Sequence, residues 1–282
     1  MTLLLERLRA VHPLPSDRVA IVSLRDLGMT HAANVGVYGV LDVVTSSATI
    51  AVPCPWARHA SDRYNEEDVG VQLTLNAQHA LYRWGPVTHA PSLVDGNGGF
   101  PMTAGELWDH ADLDEVRREC RAQIERALSW GFDVSHLVSH LDALALRPEF
   151  FDVLLDLAVE FDLPVALPDA ETSERAGFPL RSLAADEGVL FPDHIVNLMH
   201  VSPNAASLAA VVTELAPGVT ELRFAPTIDA PEIRALSPGW EHEVAQHDLL
   251  TAEGGRVVAA AAASAGVALM TFRTLRDAQR RR

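Results

Sequence analysis

Arg25 and Asp26 stand side by side just after the apolar run Val19-Ala20-Ile21-Val22, with Gly28 close behind. A buried strand that ends in charged residues and a glycine turn is where α/β proteins commonly hold their chemistry. Two further strand-like runs carry polar residues that could meet this pair. Gln72 interrupts Val69-Gly-Val-Gln-Leu-Thr-Leu75, and Ser135-His-Leu-Val-Ser-His140-Leu-Asp142 ends on an imidazole and a carboxylate. Period-two alternation along an extended segment puts Val138, His140 and Asp142 on one face. A histidine and an aspartate so placed could share one divalent ion or act as a base and its orienter. An ordinary hydrogen-bonded structural pair has the same spacing.

The elements that must position these groups alternate, strand then helix. Val19–Val22 precedes Ala32–Val43, whose apolar residues recur at helical spacing. Ser47–Val52 is a second strand, ended by Pro53-Cys-Pro-Trp56, and Val69–Leu75 is a third. An irregular segment over residues 76–103, rich in Gly, Pro and Asn, has the length of a binding loop. Asp112–Trp130 is a strong amphipathic helix, with Asp112 or Asp114 as N-cap and Gly131 just past its end. Ser135–Leu146 is a strand-and-loop segment, Pro148 opens a helix over Glu149–Phe161, and Leu163–Leu167 is a strand. Pro168–Pro192 shows no clear period and is consistent with a loop and a short helix. Ile195–His200, Ser207–Leu215, Thr220–Phe224, Gly255–Ala265 and Val267–Phe272 continue the alternation. The pattern predicts an α/β protein of one domain over residues 1–282, a parallel barrel or open sheet with helices outside.

Composition narrows the partners. Hydrophobic residues make up 48% of the 282, enough for a substantial core. A formal net charge of −16 disfavours nucleic acid and anionic membrane. The chain has no lysine, which excludes Schiff-base chemistry and a lysine base. Cys54 and Cys120 are too few for a disulfide framework or a zinc cluster. The first residues lack a basic start followed by an apolar stretch, and no apolar run is long enough to span a bilayer, so a cytoplasmic location is expected. The closing Arg280-Arg-Arg282 run reads as solvated.

Several landmarks arrive in one specific order: Asp26-Leu-Gly-Met-Thr-His31, Val44-Thr-Ser46, Val52-Pro-Cys-Pro-Trp56, Val69-Gly-Val-Gln-Leu-Thr-Leu75, Tyr82-Arg-Trp-Gly-Pro86, Pro91-Ser-Leu-Val-Asp95, Ser135-His-Leu-Val-Ser-His140, Arg147-Pro-Glu-Phe150 and Pro217-Gly-Val-Thr-Glu221. By these the chain resembles the YdjC-like (ChbG/HpnK) carbohydrate deacetylases from about Val19 to Leu275. The resemblance implies a distorted (β/α) TIM-like barrel with its site at the C-terminal ends of the strands. It also implies hydrolysis of an N-acetyl amide on a small sugar, assisted by a divalent ion (Zn or Mg), and a possible homodimer. Residue by residue, the family's paired aspartates fall on Arg25 and Asp26, so the base position is an arginine. A strand histidine falls on Gln72, an aspartate on Val138 and a His-Pro pair on Ala225-Pro226, whereas the final histidine is kept as His140.

These departures change what the site could do. A guanidinium cannot act as a base near neutral pH, and beside Asp26 it would compete with a metal for that carboxylate. An amide oxygen from Gln72 is a poor zinc ligand and a modest magnesium ligand. Catalytic roles therefore fall to Asp26, His140 and Asp142. Asp26 and His140 are the candidate metal ligands, with Gln72 at the third ligand position. Arg25, Gln72, Arg83 and Trp84 are candidate substrate-binding residues, with Arg25 holding an anionic group. Asp26 can equally be the ion-pair partner of Arg25 or another arginine, and Trp84 can equally pin the long loop. The reading is a diverged hydrolase acting on an amide or acyl group of a small polar molecule. The alternatives are a non-catalytic binding protein on the same barrel, or acid–base chemistry of lyase or isomerase type that needs no metal.

Overall fold

The run at Val19 becomes the centre of a parallel sheet in the computed structural model, which describes residues 2–281. The strands are Arg18–Leu27 (β1), Ser46–Ile50 (β2), Val69–Leu73 (β3), Leu137–Ser139 (β4), Val165–Ala166 (β5), His194–Asn197 (β6), Gly218–Phe224 (β7) and Ala268–Met270 (β8). Their order is β5-β4-β3-β2-β1-β7-β6, and every pairing is parallel. β7 runs beside β1 over its whole length, Arg18 to Leu24, whereas β2 pairs only from Val22 upward. β8 takes the lower flank, opposite Val19 to Ile21. Among the described residues β5 and β6 do not pair, so the sheet curls into an incompletely closed barrel surrounded by helices.

Alternation sorts the side chains. Ala20, Val22, Leu24, Val69, Val71 and Leu73 face outward into the larger apolar core beneath the helices. Val19, Ile21, Val138, Val219 and Met270 face inward at the lower end of the barrel. Leu4, Leu5 and Leu8 of the helix Leu3–Val11 join Phe272 and Leu275 of the helix Phe272–Gln279 to plug that end. The first of these helices precedes the region where the resemblance begins. Close packing inside the barrel also explains a glycine: a Cβ on Gly70 would sit 2.4 Å from the His136 ring, which stacks on Phe272 at 3.8 Å.

The strongest helical patterns form helices: His31–Leu41, Leu113–Ser129, Pro148–Glu160 and Arg256–Ala265. Asp112 caps the second by accepting from the backbone N–H groups of Asp114 and Glu115 at 2.9 and 3.1 Å. Two readings change. The unpatterned stretch from Pro168 holds two short helices, Ala170–Ala176 and Leu180–Asp186, instead of one. The extended segment through Asp142 stops at Ser139, and His140–Asp142 form a tight 3-10 turn. Leu141 and Asp142 adopt left-handed φ values of 47° and 55°, which period-two reasoning cannot foresee. Of the terminal arginines, Arg282 lies outside the described residues, and Arg280 Nε donates to the Asp162 carbonyl at 3.3 Å.

Candidate functional site

At the C-terminal ends of the strands the barrel opens into a cavity of about 920 Å³, lined among others by Arg25, Asp26, Gln72, His140 and Asp142. That Arg25 and Asp26 both face it is a consequence of local backbone geometry. Consecutive strand residues point to opposite faces, but β1 carries a bulge against β2: Leu24 pairs with Ala48 and Leu27 with Ile50. Asp26 sits in that bulge at φ 69°. Three of the six non-glycine residues at positive φ among the described residues, Asp26, Leu141 and Asp142, therefore line one cavity. Such strain costs on the order of 1 kcal/mol or more per residue and collects at functional sites.

Although adjacent, Arg25 and Asp26 enter different networks, and the expected ion pair between them does not form. Arg25 Nη2 donates to Glu221 Oε1 at 2.6 Å. Glu221 Oε2 accepts from Arg223 Nε and Nη2 at 3.0 and 2.9 Å, and Arg223 Nη2 also donates to the Leu167 carbonyl, across the gap where β5 and β6 do not pair. All three side chains are buried. Burial pushes the Glu221 carboxyl up, yet the guanidinium groups of Arg223 and Arg25 pull it further down, to about 2. Burial lowers Arg25 to about 10 against the pull of Glu221, so it stays a cation at neutral pH. Its Nη1 has no hydrogen-bond partner among the described residues.

Asp26 belongs to the second network, centred on Gln72. Gln72 Nε2 donates to Asp26 Oδ1 at 3.0 Å and to His140 Nδ1 at 2.6 Å. Gln72 Oε1 accepts from the Thr49 hydroxyl at 3.0 Å and from the Asp26 backbone N–H at 3.4 Å. These partners fix the amide's orientation, because a backbone N–H can only donate and a carboxylate can only accept. His140 Nδ1 is then the acceptor, and the proton of the neutral ring sits on Nε2, which is buried without a partner among the described residues. Burial lowers His140 to about 4, opposed by Asp26. Asp142 lines the same cavity, and burial raises its carboxyl.

Arg83 and Trp84 lie elsewhere than the cavity wall. Arg83 Nη2 donates to Asp95 Oδ2 at 2.6 Å and to the Phe100 carbonyl, and the buried Trp84 donates from Nε1 to the Asn76 carbonyl at 3.2 Å. Both tie down the loop over residues 76–103. Glu119 adds to this by accepting from Val87 N, Thr88 N and the Thr88 hydroxyl at 3.0, 2.9 and 2.7 Å. Only the start of that loop, Gln78 to Leu81, and Met102 near its end reach the cavity. The sequence reading passed over Glu221 and Arg223 as site residues. The signal available was two charges at period two in the Gly218–Phe224 strand, whose other residues are uncharged. It also missed His79, Asp169, His242 and Glu243, which come from loops and helices with no shared spacing. His200, the last residue of the run from Ile195, lines the cavity from beyond β6.

The divalent ion implied by the resemblance can be tested against this donor set. Zinc in a catalytic site takes three protein ligands with lone pairs at about 2.0–2.3 Å. Here Asp26 and His140 offer two, and the group between them is an amide nitrogen, which has no lone pair to give. Among the described residues, no three His, Cys, Asp or Glu side chains are placed to hold an ion together. The residues present do not fit a resident zinc ion.

Comparison with known proteins agrees with the fold. A carbohydrate deacetylase of Thermus thermophilus is 34% identical over 254 residues, covering 88% of this chain and 90% of its own. A carbohydrate deacetylase of Geobacillus stearothermophilus is 32% identical over 183 residues, 62% of this chain and 67% of its own. In three dimensions a protein of Enterococcus faecalis V583, described as a cellobiose-phosphate cleavage protein, superposes with a TM-score of 0.78 at 23% identity. It spans 92% of this chain and 99% of its own, and shows the same fold. The model of the YdjC-like proteins matches residues 19–259, from the first residues of β1 to within the helix Arg256–Ala265, and the chain therefore belongs to that family.

Proposed function

We propose that this chain is a hydrolase that removes an acyl group, as an amide or ester, from a small carbohydrate bound in the cavity at the barrel mouth. The supporting observation is the arrangement around Gln72: one amide holds a carboxylate and a neutral imidazole at the mouth of a barrel whose relatives are carbohydrate deacetylases. Asp26, the second oxygen of its carboxylate free of the Gln72 contact, takes a proton from the attacking water. His140 Nε2–H and Arg25 Nη1–H, two donors the fold leaves unpaired, stabilise the negative charge that develops on the acyl oxygen. Asp142, whose burial keeps its proton to higher pH, protonates the leaving amine or alkoxide as its bond to the acyl carbon breaks. The proton collected by Asp26 then resets Asp142 through solvent. Arg25, compensated by Glu221, contributes a hydrogen bond here more than a net positive charge.

The test is release of acetate from N-acetylated di- and trisaccharides and from their O-acetylated counterparts, followed by mass spectrometry. Release that falls in Asp26→Asn supports the reading. A protein that binds these sugars without releasing acetate sinks it and favours the non-catalytic alternative, which draws on the same saturation of Asp26 and His140 by one amide. The cytoplasmic assignment draws support from two buried free thiols, Cys54 and Cys120, as in a reducing compartment, and no helix among the described residues is long and apolar enough to cross a membrane. The homodimer rests on the family resemblance and is read by light scattering.

A further inference from the structure

We propose that Gln72 alone excludes zinc from this site, its amide NH2 group occupying the place between Asp26 and His140 that the ion would otherwise take. The two groups an ion would bind, a carboxylate oxygen and an imidazole lone pair, both point at the same amide nitrogen, 3.0 and 2.6 Å away. Two N–H bonds satisfy the carboxylate and the imidazole as a cation would, without a net charge. The amide is held in this orientation from behind by Thr49 on the neighbouring strand and by the Asp26 backbone N–H. Turning it around would set its oxygen against the Asp26 carboxylate and its NH2 against a backbone donor, so the amide oxygen cannot rotate in to act as a ligand. Gln72 is buried on β3, and no outside group is needed to hold the arrangement.

The proposal makes the ligand count depend on one side chain. Histidine or glutamate at position 72 projects from the same strand position and offers a lone pair where the amide offers hydrogens. With Asp26 and His140 it completes three ligands, the number a catalytic zinc site takes from protein. The claim concerns the ion and not the acyl group, so it stands or falls apart from the hydrolase reading.

The experiment equilibrates the full chain with zinc chloride, removes free metal by gel filtration and measures bound zinc by plasma mass spectrometry, with titration calorimetry for affinity. The wild type retains far less than one zinc per chain. Gln72→His and Gln72→Glu each retain about one, with apparent affinity raised about 100-fold or more, and the gain disappears when His140→Ala is added. Circular dichroism shows which variants are folded, and one folded variant is enough to decide the second arm. One zinc per wild-type chain, lost in His140→Ala, overturns the proposal. So does a folded Gln72→His or Gln72→Glu protein that takes up no zinc. Absence of acetate release together with the expected zinc results removes the hydrolase reading and leaves this one in place.

Discussion

Arg25 and Asp26 are consecutive in the chain, yet they serve two halves of the barrel mouth that differ in kind. On the β1–β7 side, Arg25 and Arg223 share the one Glu221 carboxylate within 3.0 Å contacts, and all three are buried. On the β1–β3–β4 side, the single amide of Gln72 tethers Asp26 and His140, and all three line the cavity together with Asp142. The first half holds the barrel together where its sheet fails to close and lends the substrate only the unpaired Arg25 Nη1–H, whereas the second half supplies the carboxylates and the imidazole. The bulge at Asp26 lets one strand end feed both.

Glu221 tests the first half most severely. Glu221→Gln leaves two buried guanidinium groups without their counter-charge and is expected to cost about 3–5 kcal/mol in urea unfolding. The acid limb of stability carries the same signature. Glu221 has a folded pKa of about 2, below an unfolded value of about 4.3, so its contribution is complete above the unfolded value. It is lost as pH falls from there toward 2, and Glu221→Gln flattens that limb. If the variant unfolds like the wild type, the three charges do not hold the barrel.

Asp26 tests the second half. Asn tolerates the left-handed φ of 69° and can still accept from Gln72, so Asp26→Asn should leave stability almost unchanged while acetate release drops on the order of 100-fold or more. A loss of stability to match the loss of activity would erase the distinction between the halves.

His140 separates the two halves by pH window. Burial lowers its pKa to about 4, against about 6.5 for an unfolded imidazole, so the stability it confers is complete above 6.5 and is lost as pH falls toward 4. This window lies above the one that reports Glu221. His140→Gln should remove one proton from the slope there, about 1.4 kcal/mol per pH unit, and leave the Glu221 limb intact. His136, lowered by burial in the barrel interior, keeps the remaining slope in the variant.

What could be read from sequence divides along similar lines. The outward faces of β1 and β3 and the helix Leu113–Ser129 were legible because local periodicity and caps determine them. Arg25, Asp26, Gln72, His140 and Asp142 were legible as a converging set because parallel strands bring their ends together, and all five line the cavity. Their partners were not. Glu221 lies 196 residues from Arg25, and only the barrel brings the two within bonding distance. The bulge at Asp26 turns two consecutive residues to one cavity, and the left-handed turn at Leu141–Asp142 breaks the alternation from which an extended His140–Asp142 face was inferred.

The smallest expected effect concerns the loop between the halves and the solvent, where an aromatic platform for a sugar and a structural pin are competing roles for Trp84. The indole is buried, donates to the Asn76 carbonyl at 3.2 Å, and stands edge-on to the His140 ring at 6.4 Å between centroids. It therefore supports the second half from outside the cavity. Trp84→Phe keeps an aromatic ring but deletes the donor, leaving a carbonyl beneath the loop without its partner. The cost should be about 1 kcal/mol in thermal or urea unfolding, with KM for the acetylated sugar unchanged. A rise in KM of about tenfold, corresponding to 1.4 kcal/mol of lost binding, would instead put the indole against substrate and move the loop from the structural side of the comparison to the functional one.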